Sequence, residues 1–278
     1  MKIDAHQHFW AIARGDYGWM DDSAALATIR RNFAPTDFEA QRRDFAIDKT
    51  VLVQAAPSLA ETHYILGLAD ATDWIARVVG WVDFENPDHR IQMERLARHP
   101  KFSGVRPMIQ DILDVDWMHR PDVQWGFEAV VDLDLTFDAL GFPFHLDHFL
   151  RLFDRYPDMR CVVDHCMKPQ IRDDGFEVWA MKLERIAQST GAFCKLSGLA
   201  TEAPAEWSTE TLRPYVEHVL AVFGSHRVMW GSDWPVLLLN GTYKKWWSAA
   251  MAIVPDAAHT AVFGLTAARF YRIAADPG

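Results

Sequence analysis

Cysteine is scarce in this chain of 278 residues, which holds only Cys161, Cys166 and Cys194. An odd, small count cannot supply a disulfide framework. All three lie in apolar segments, where a free thiol behaves as a small hydrophobe, so reduced thiols in a cytoplasmic protein are expected. Long apolar runs are also missing. The longest, 249–254, has six residues and stops at Pro255, far short of the roughly 18 that a membrane span needs. The start, Met1-Lys2-Ile3-Asp4-Ala5-His6, has no apolar stretch of the secretory kind. Positive charge is in deficit: Lys plus Arg is 28 and Asp plus Glu is 38, a net charge of −10. Nucleic-acid grooves and anionic membranes want clustered positive charge, so neither is an expected partner. The phosphate loops Gly-x-Gly-x-x-Gly and Gly-x-x-x-x-Gly-Lys do not occur, which argues against a nucleotide-binding sheet.

What is present is an alternation of short apolar runs with amphipathic stretches. Strand candidates fall at 2–9, 50–55, 77–82, 104–109, 133–139, 160–166, 193–199 and 227–233. Several are β-branched and apolar, as strands covered on both faces should be. Between them, Ser58-x-x-Glu61 and Thr36-x-x-Glu39 fit capping boxes, and Asn86-Pro87 fits a cap followed by proline. Leu212, Tyr215, Val216, Val219 and Phe223 share one helical face ahead of Gly224. Phe149, Leu152, Phe153 and Tyr156 repeat that spacing before Pro157. Eight strands alternating with helices and no phosphate loop predict a (β/α)8 barrel, read as one domain over 1–278. The polar segment 111–121 reads as a long loop over one barrel end. Histidine and tryptophan are each present 12 times. Trp81, Trp230 and Trp234 stand beside polar residues at strand ends, where they suit either a core or the wall of a small-molecule pocket.

Three local patterns carry chemistry. In Asp4-Ala5-His6-Gln7-His8-Phe9, strand alternation puts His6 and His8 on one face, a metal half-site or two exposed imidazoles. In Val162-Val163-Asp164-His165-Cys166-Met167-Lys168-Pro169, an apolar run ends in a histidine that is either hydrogen-bonded in the core or a ligand. In Trp230-Gly231-Ser232-Asp233-Trp234-Pro235, Asp233 ends the last strand, as a helix cap or as a group of the site. In a barrel, the C-terminal strand ends face the active site, and the first and last strands are neighbours. His6, His8 and Asp233 can then converge, with His165 reaching in from across the barrel. Arg106 ends another strand, where it holds either substrate or a salt bridge. Gln54, Trp81, Lys168 and Trp234 are further candidates for substrate contact. His145 and His148 read as structural, and Glu61, Glu94 and Glu184 as solvated helix faces.

The segments Ile3-Asp4-Ala5-His6-Gln7-His8-Phe9-Trp10, Val163-Asp164-His165 with Lys168-Pro169, Lys195-Leu196-Ser197-Gly198 and Gly231-Ser232-Asp233-Trp234-Pro235 together resemble the amidohydrolase superfamily. Within it, they are similar to the amidohydrolase-2 branch of sugar lactonases, and the resemblance runs through the whole chain to Thr266-Ala267-Ala268-Arg269-Phe270-Tyr271. It implies a distorted (β/α)8 barrel, with His6, His8 and His165 lining the site and Asp233 as general base. No histidine stands in Lys195-Leu196-Ser197-Gly198, where binuclear relatives carry one, so one metal or none is implied rather than two. The family's matching histidine lies on the fifth strand, whereas His165 falls on the sixth candidate. One early candidate is therefore expected to be an insertion.

The reading that results is a hydrolase of a small sugar lactone. Asp233 activates water, and a histidine cluster holds one divalent metal through His6, His8, His165 and Asp233. Zinc is the ion best suited to imidazole and carboxylate, and a metal-free site stays open. His165 acts with Asp233 in catalysis, while Gln54, Trp81, Arg106, Lys168 and Trp234 contact substrate. A decarboxylase or a dicarboxylate-lactone hydrolase on the same fold is the near rival. A catalytically silent metal- or sugar-binding barrel is the distant one. A homo-oligomer is left open.

Overall fold

The barrel is built from eight parallel strands: β1 (Ile3–Gln7), β2 (Lys49–Val53), β3 (Ile75–Gly80), β4 (Phe102–Val105), β5 (Thr136–Ala139), β6 (Arg160–Val163), β7 (Phe193–Leu196) and β8 (Val228–Trp230). They belong to a computed structural model that describes residues 1–274, and they pair in chain order. A parallel bridge between Gln7 and Trp234 joins the two ends of the sheet. There His8 N donates to Trp234 O at 2.7 Å and Asp233 N to His6 O at 2.8 Å. All eight strand candidates are strands of this one sheet, so the expected insertion is not there, and His165 follows the sixth strand. That expectation rested on a strand count carried over from relatives, not on any property of these residues.

Helices α1 (Pro35–Asp44), α2 (Leu59–Asp70), α3 (Arg90–Leu96), α4 (Gln124–Asp132), α5 (Leu146–Arg155), α6 (Phe176–Ser189), α7 (Leu199–Glu202), α8 (Thr209–Phe223) and α9 (Tyr243–Ile253) lie between the strands and after them. Their starts are readable locally. The Ser58 hydroxyl accepts from Glu61 N at 3.0 Å, and Asn86 Oδ1 accepts from Asp88 N at 3.1 Å. The box expected at Thr36 is displaced: α1 begins at Pro35, and Asp37 accepts from Ala34 N. Proline at the first helical position and an acid at the third outweigh the threonine. The loop expected at 111–121 is partly turned, with short 3-10 segments at Ile109–Asp111 and Trp117–His119 that bury Trp117 and Met118.

Two apolar clusters hold the barrel. The larger fills the space between strands and helices. The smaller gathers Ile3, Ala5, Val51, Val53, Val79, Val162 and Met229 with Phe270 and Tyr271. Side chains from five strands can meet only across the barrel interior. The C-terminal turn plugs the end where the strands begin: Arg77 Nε donates to Tyr271 O at 2.8 Å and Arg160 Nη1 to Phe270 O at 2.8 Å. The opposite end, where the strands finish, carries the chemistry.

Candidate active site

His6 belongs to β1, and His8 lies one residue beyond it. The β1–β2 register shifts between Asp4 and Gln7, so strict alternation does not hold across the pair. A bulge of this kind re-aims side chains, and the two Nε2 atoms meet at 3.2 Å. Asp233 and His165 both sit past their strands with positive φ, 58° and 52°. Cys166, Met167 and Lys168 continue the left-handed turn. Non-glycine residues pay for that conformation and keep it only where the surroundings fix them, commonly at functional sites. Two glycines make the room. A Cβ at Gly198 would lie 2.7 Å from the His165 ring, and one at Gly231 would lie 2.7 Å from His6 Cβ.

The structure brings the four expected ligands together. His6, His165 and Asp233 each offer an atom within 4.8 Å of the others. His8 Nε2 is 3.3 Å from Asp233 Oδ1 and 3.2 Å from His6 Nε2. All are buried. Burial pushes the His6 and His165 imidazoles well below the ordinary value, and Lys195 pushes His6 further. Burial also lowers His8, against the pull of Asp233. For Asp233, burial alone would raise the carboxyl, but His165, His8 and Lys168 outweigh it and hold it below the usual range. Neutral imidazoles around an ionised carboxylate are the protonation states that a metal ion needs from its ligands.

A hydrogen bond fixes the His8 tautomer. His8 Nδ1 lies 2.8 Å from Val53 O and must donate to it. Its Nε2 therefore presents a lone pair to the Asp233 carboxylate, and two acceptors that face each other invite a cation or a proton. His165 Nδ1 is 2.9 Å from Ser197 Oγ. The donor set fits a divalent ion, with one complication at His6. Lys195 Nζ lies 3.0 Å from His6 Nδ1, and an ammonium can only donate. Arg106 Nη1, equally a donor only, lies 3.3 Å from Nε2, so two cations compete for the one lone pair of the neutral ring. Asp164 Oδ1 lies 3.6 Å from Nδ1 and would take a hydrogen carried there, as the partner of a ligating histidine does.

Behind His6 runs a buried charged layer that the sequence reading missed. Lys195 Nζ contacts Asp138 Oδ2 at 2.5 Å and Asp164 Oδ1 at 3.1 Å. Tyr271 donates to Asp138 at 2.8 Å. Burial and the neighbouring Asp164 raise Asp138, whereas Lys195, His165 and Arg106 hold Asp164 low despite its burial. The available signal was a single charge in each of two otherwise uncharged strands, Phe-Cys-Lys-Leu and Thr-Phe-Asp-Ala. A fully buried charge demands a partner.

A cavity of about 220 Å³ opens over the cluster, lined by His8, Arg106, His165, Lys168 and Asp233 together with Trp19, Met108, Gln110 and Asp111. Lys168 Nζ is braced by Gln110 Oε1 at 2.5 Å. A larger cavity, about 430 Å³, lies between Phe142, Phe144, Val178 and Lys182 and holds none of the catalytic candidates. Three expected substrate contacts are placed elsewhere. Gln54 is buried, its amide donating to Arg106 O at 2.8 Å, so it braces Arg106 rather than lining the cavity. Trp81 borders a separate cavity with Pro107 and Trp117. Trp234 packs into an aromatic core against Phe9, Phe33 and Phe38. The backbone beyond β8 turns, which sends Asp233 and Trp234 opposite ways. Glu61 is not solvated either: it is buried, accepting from Tyr17 Oη at 2.8 Å and from Ala55 N at 3.3 Å.

The Amidohydro_2 (amidohydrolase) family model matches residues 3–273. This chain belongs to the amidohydrolase family. It is 41% identical over 280 residues to an L-fucono-1,5-lactonase of Burkholderia ambifaria, covering 98% of this chain and 96% of that protein. A second L-fucono-1,5-lactonase, from Burkholderia multivorans, is 32% identical and covers 98% of this chain and 96% of its own. Among solved structures, a Burkholderia multivorans amidohydrolase crystallised with bound zinc superposes with a TM-score of 0.91 at 31% identity, over 99% of this chain and all of that one. Among the described residues, no helix is long and apolar enough to cross a membrane.

Proposed function

We propose that this amidohydrolase hydrolyses the 1,5-lactone of a six-carbon sugar acid, acting as a single barrel in the cytoplasm. The observation that carries the reading is Asp233, an ionised carboxylate in the cavity wall between His8 and His165, in a chain whose curated relatives are sugar lactonases. Asp233 accepts a proton as water attacks the lactone carbonyl. The carbonyl oxygen gains charge and meets Arg106 and Lys168, donors held in the cavity wall. Collapse breaks the ring C–O bond, and the Asp233 carboxyl returns its proton to the alkoxide. The free sugar acid leaves with a carboxylate, next to the two cations.

His6, His8, His165 and Asp233 would hold one zinc ion, which would supply Lewis-acid polarisation of water or carbonyl. Without it, Lys195 and Arg106 flank the two ring nitrogens of His6. Acid release from a panel of aldonolactones, assayed with and without chelator, tests the reading. L-Fucono-1,5-lactone and its close stereoisomers should turn over. Inactivity on the whole panel would end it. Full activity after chelation, with well under one equivalent of metal by elemental analysis, would remove the ion and leave the imidazoles as hydrogen-bond donors.

A further inference from the structure

A second histidine–carboxylate group lies away from the cavity. Asp116 and His119 belong to the segment that follows β4, and His148 to α5. One donor atom of each lies within 4.8 Å of the other two. His148 Nδ1 is 3.2 Å from Asp116 Oδ1, but outside hydrogen-bonding geometry. Both His148 Nδ1 and His119 Nε2 are shielded from solvent without a hydrogen-bond partner. The two rings are roughly parallel, 5.6 Å apart at 30°. Unsatisfied buried nitrogens cost free energy, and a cation held by both rings and the carboxylate would repair them. Zinc bonds of about 2.0–2.1 Å in a tetrahedral site set donors about 3.3 Å apart. The His148–Asp116 pair already has that separation, and only His119 has to close in. The competing charge is Arg151, whose Nη1 is 3.8 Å from Asp116 but whose side chain is 62% exposed and free to swing away.

We propose that Asp116, His119 and His148 form a second, peripheral site for a divalent transition ion of the zinc class, separate from the catalytic cluster. Two imidazoles and one carboxylate with a water in the fourth position suit that ion, and not calcium or magnesium, which want oxygen. The ion fastens the segment after β4 to α5. The same segment carries Gln110 and Asp111 of the cavity wall, so the ion steadies the cavity from outside without touching substrate.

Titration of zinc-free protein with zinc(II) against a chromophoric chelator tests this in the wild type, His119→Asn and His148→Asn. None of these changes touches the catalytic cluster. A melting curve without metal checks that each variant is folded. Each variant should bind one zinc equivalent fewer than the wild type, and the rise in Tm that zinc gives the wild type should shrink in both. Unchanged stoichiometry and affinity in the two variants would overturn the site. So would a lost equivalent that appears in only one of them, because a site built on both rings cannot survive the loss of either.

Discussion

Lys195 Nζ sits 3.0 Å from Nδ1 of His6, so an ammonium backs the imidazole that meets His8 and Asp233 at the head of the barrel. Tyr271, Asp138, Lys195 and His6 form one hydrogen-bonded line from the C-terminal plug to the cavity floor. The line is buried throughout, and Asp164 joins it at Lys195. Lys195→Met would leave Asp138 buried without its cation and Asp164 with Arg106 alone. Removing one partner of a buried pair costs about 3–5 kcal/mol, and urea denaturation should show a loss of that size. Lys195→Arg should not restore stability, because the planar guanidinium cannot occupy the ammonium's place.

Asp233→Asn should fold normally and lose turnover. The amide keeps the shape but cannot take a proton from water, and losing general-base help typically costs about 10²–10⁴-fold. Turnover of an aldonolactone by the purified variant, with circular dichroism to verify folding, is the measurement. A folded variant with near-normal kcat would take Asp233 out of the mechanism.

Gly198→Ala should damage turnover more than stability. Its φ of 67° disfavours alanine, and the new Cβ would lie 2.7 Å from the His165 ring. The backbone strain is about 1–2 kcal/mol, read as a lowered Tm. The imidazole must also move, and it shares the cavity wall with Asp233. The expected pattern is a fall in kcat of tenfold or more, since about 1 Å of misplacement can cost about 10²-fold.

Glu61 should make stability depend on pH. Burial pushes its carboxyl from an ordinary 4.5 up to about 7, despite the hydrogen bonds from Tyr17 and Ala55. The folded protein therefore favours the protonated form. The stability that form supplies is complete below 4.5 and is lost as pH rises through about 7. The span amounts to roughly 3 kcal/mol, at about 1.4 kcal/mol for each unit. Glu61→Gln stays neutral, so its stability relative to wild type should climb between pH 5 and pH 8. Parallel denaturation midpoints over that range would contradict the assignment. Because Tyr17 and the cavity-wall residue Trp19 both pack against Trp10, substrate KM is a useful second readout.

Arg106→Met separates two substrate classes. The guanidinium contacts Gln54 O and Asp164 and keeps an unpartnered Nε. With a neutral lactone, the variant should lose turnover through a lost donor and a misplaced carbonyl. With a carboxylated lactone, affinity should collapse selectively, because a charge-assisted contact is gone. The values of kcat/KM for one lactone of each kind, on both proteins, decide. A wild-type preference for the carboxylated compound that the variant lacks would replace the sugar-lactone reading with the dicarboxylate one.

The parts of the site that could be read from the chain are those whose evidence is local. His6 and His8 stand two residues apart, and Asp233 and His165 each end an apolar run, so strand ends and barrel topology bring them together. The charged layer was not legible in that way. Lys195 and Asp138 are 57 positions apart, and nothing in either strand names the other. Glu61 looked solvated because a capping box explains a glutamate at that spacing. Its side chain instead turns to Tyr17, which a helix-surface pattern cannot foresee. Trp81, Trp234 and Gln54 show the same limit. A strand end fixes where a side chain starts, while the turn after the strand decides whether it reaches the cavity or the packing behind it.

The bridge between Gln7 and Trp234 has a consequence for how the enzyme comes into being. His8 and Asp233 are 225 positions apart, at opposite ends of the order of synthesis. A nascent chain emerging from the ribosome carries His6 and His8 almost at once, but the carboxylate only after all eight strands have been made. The Tyr271 plug follows later still. Until then the first strand exposes an unpaired edge, and the half-built sheet is open to wrong pairing. Catalytic competence thus arrives in one step, with ring closure, and a fragment that stops before β8 is inert however well it folds.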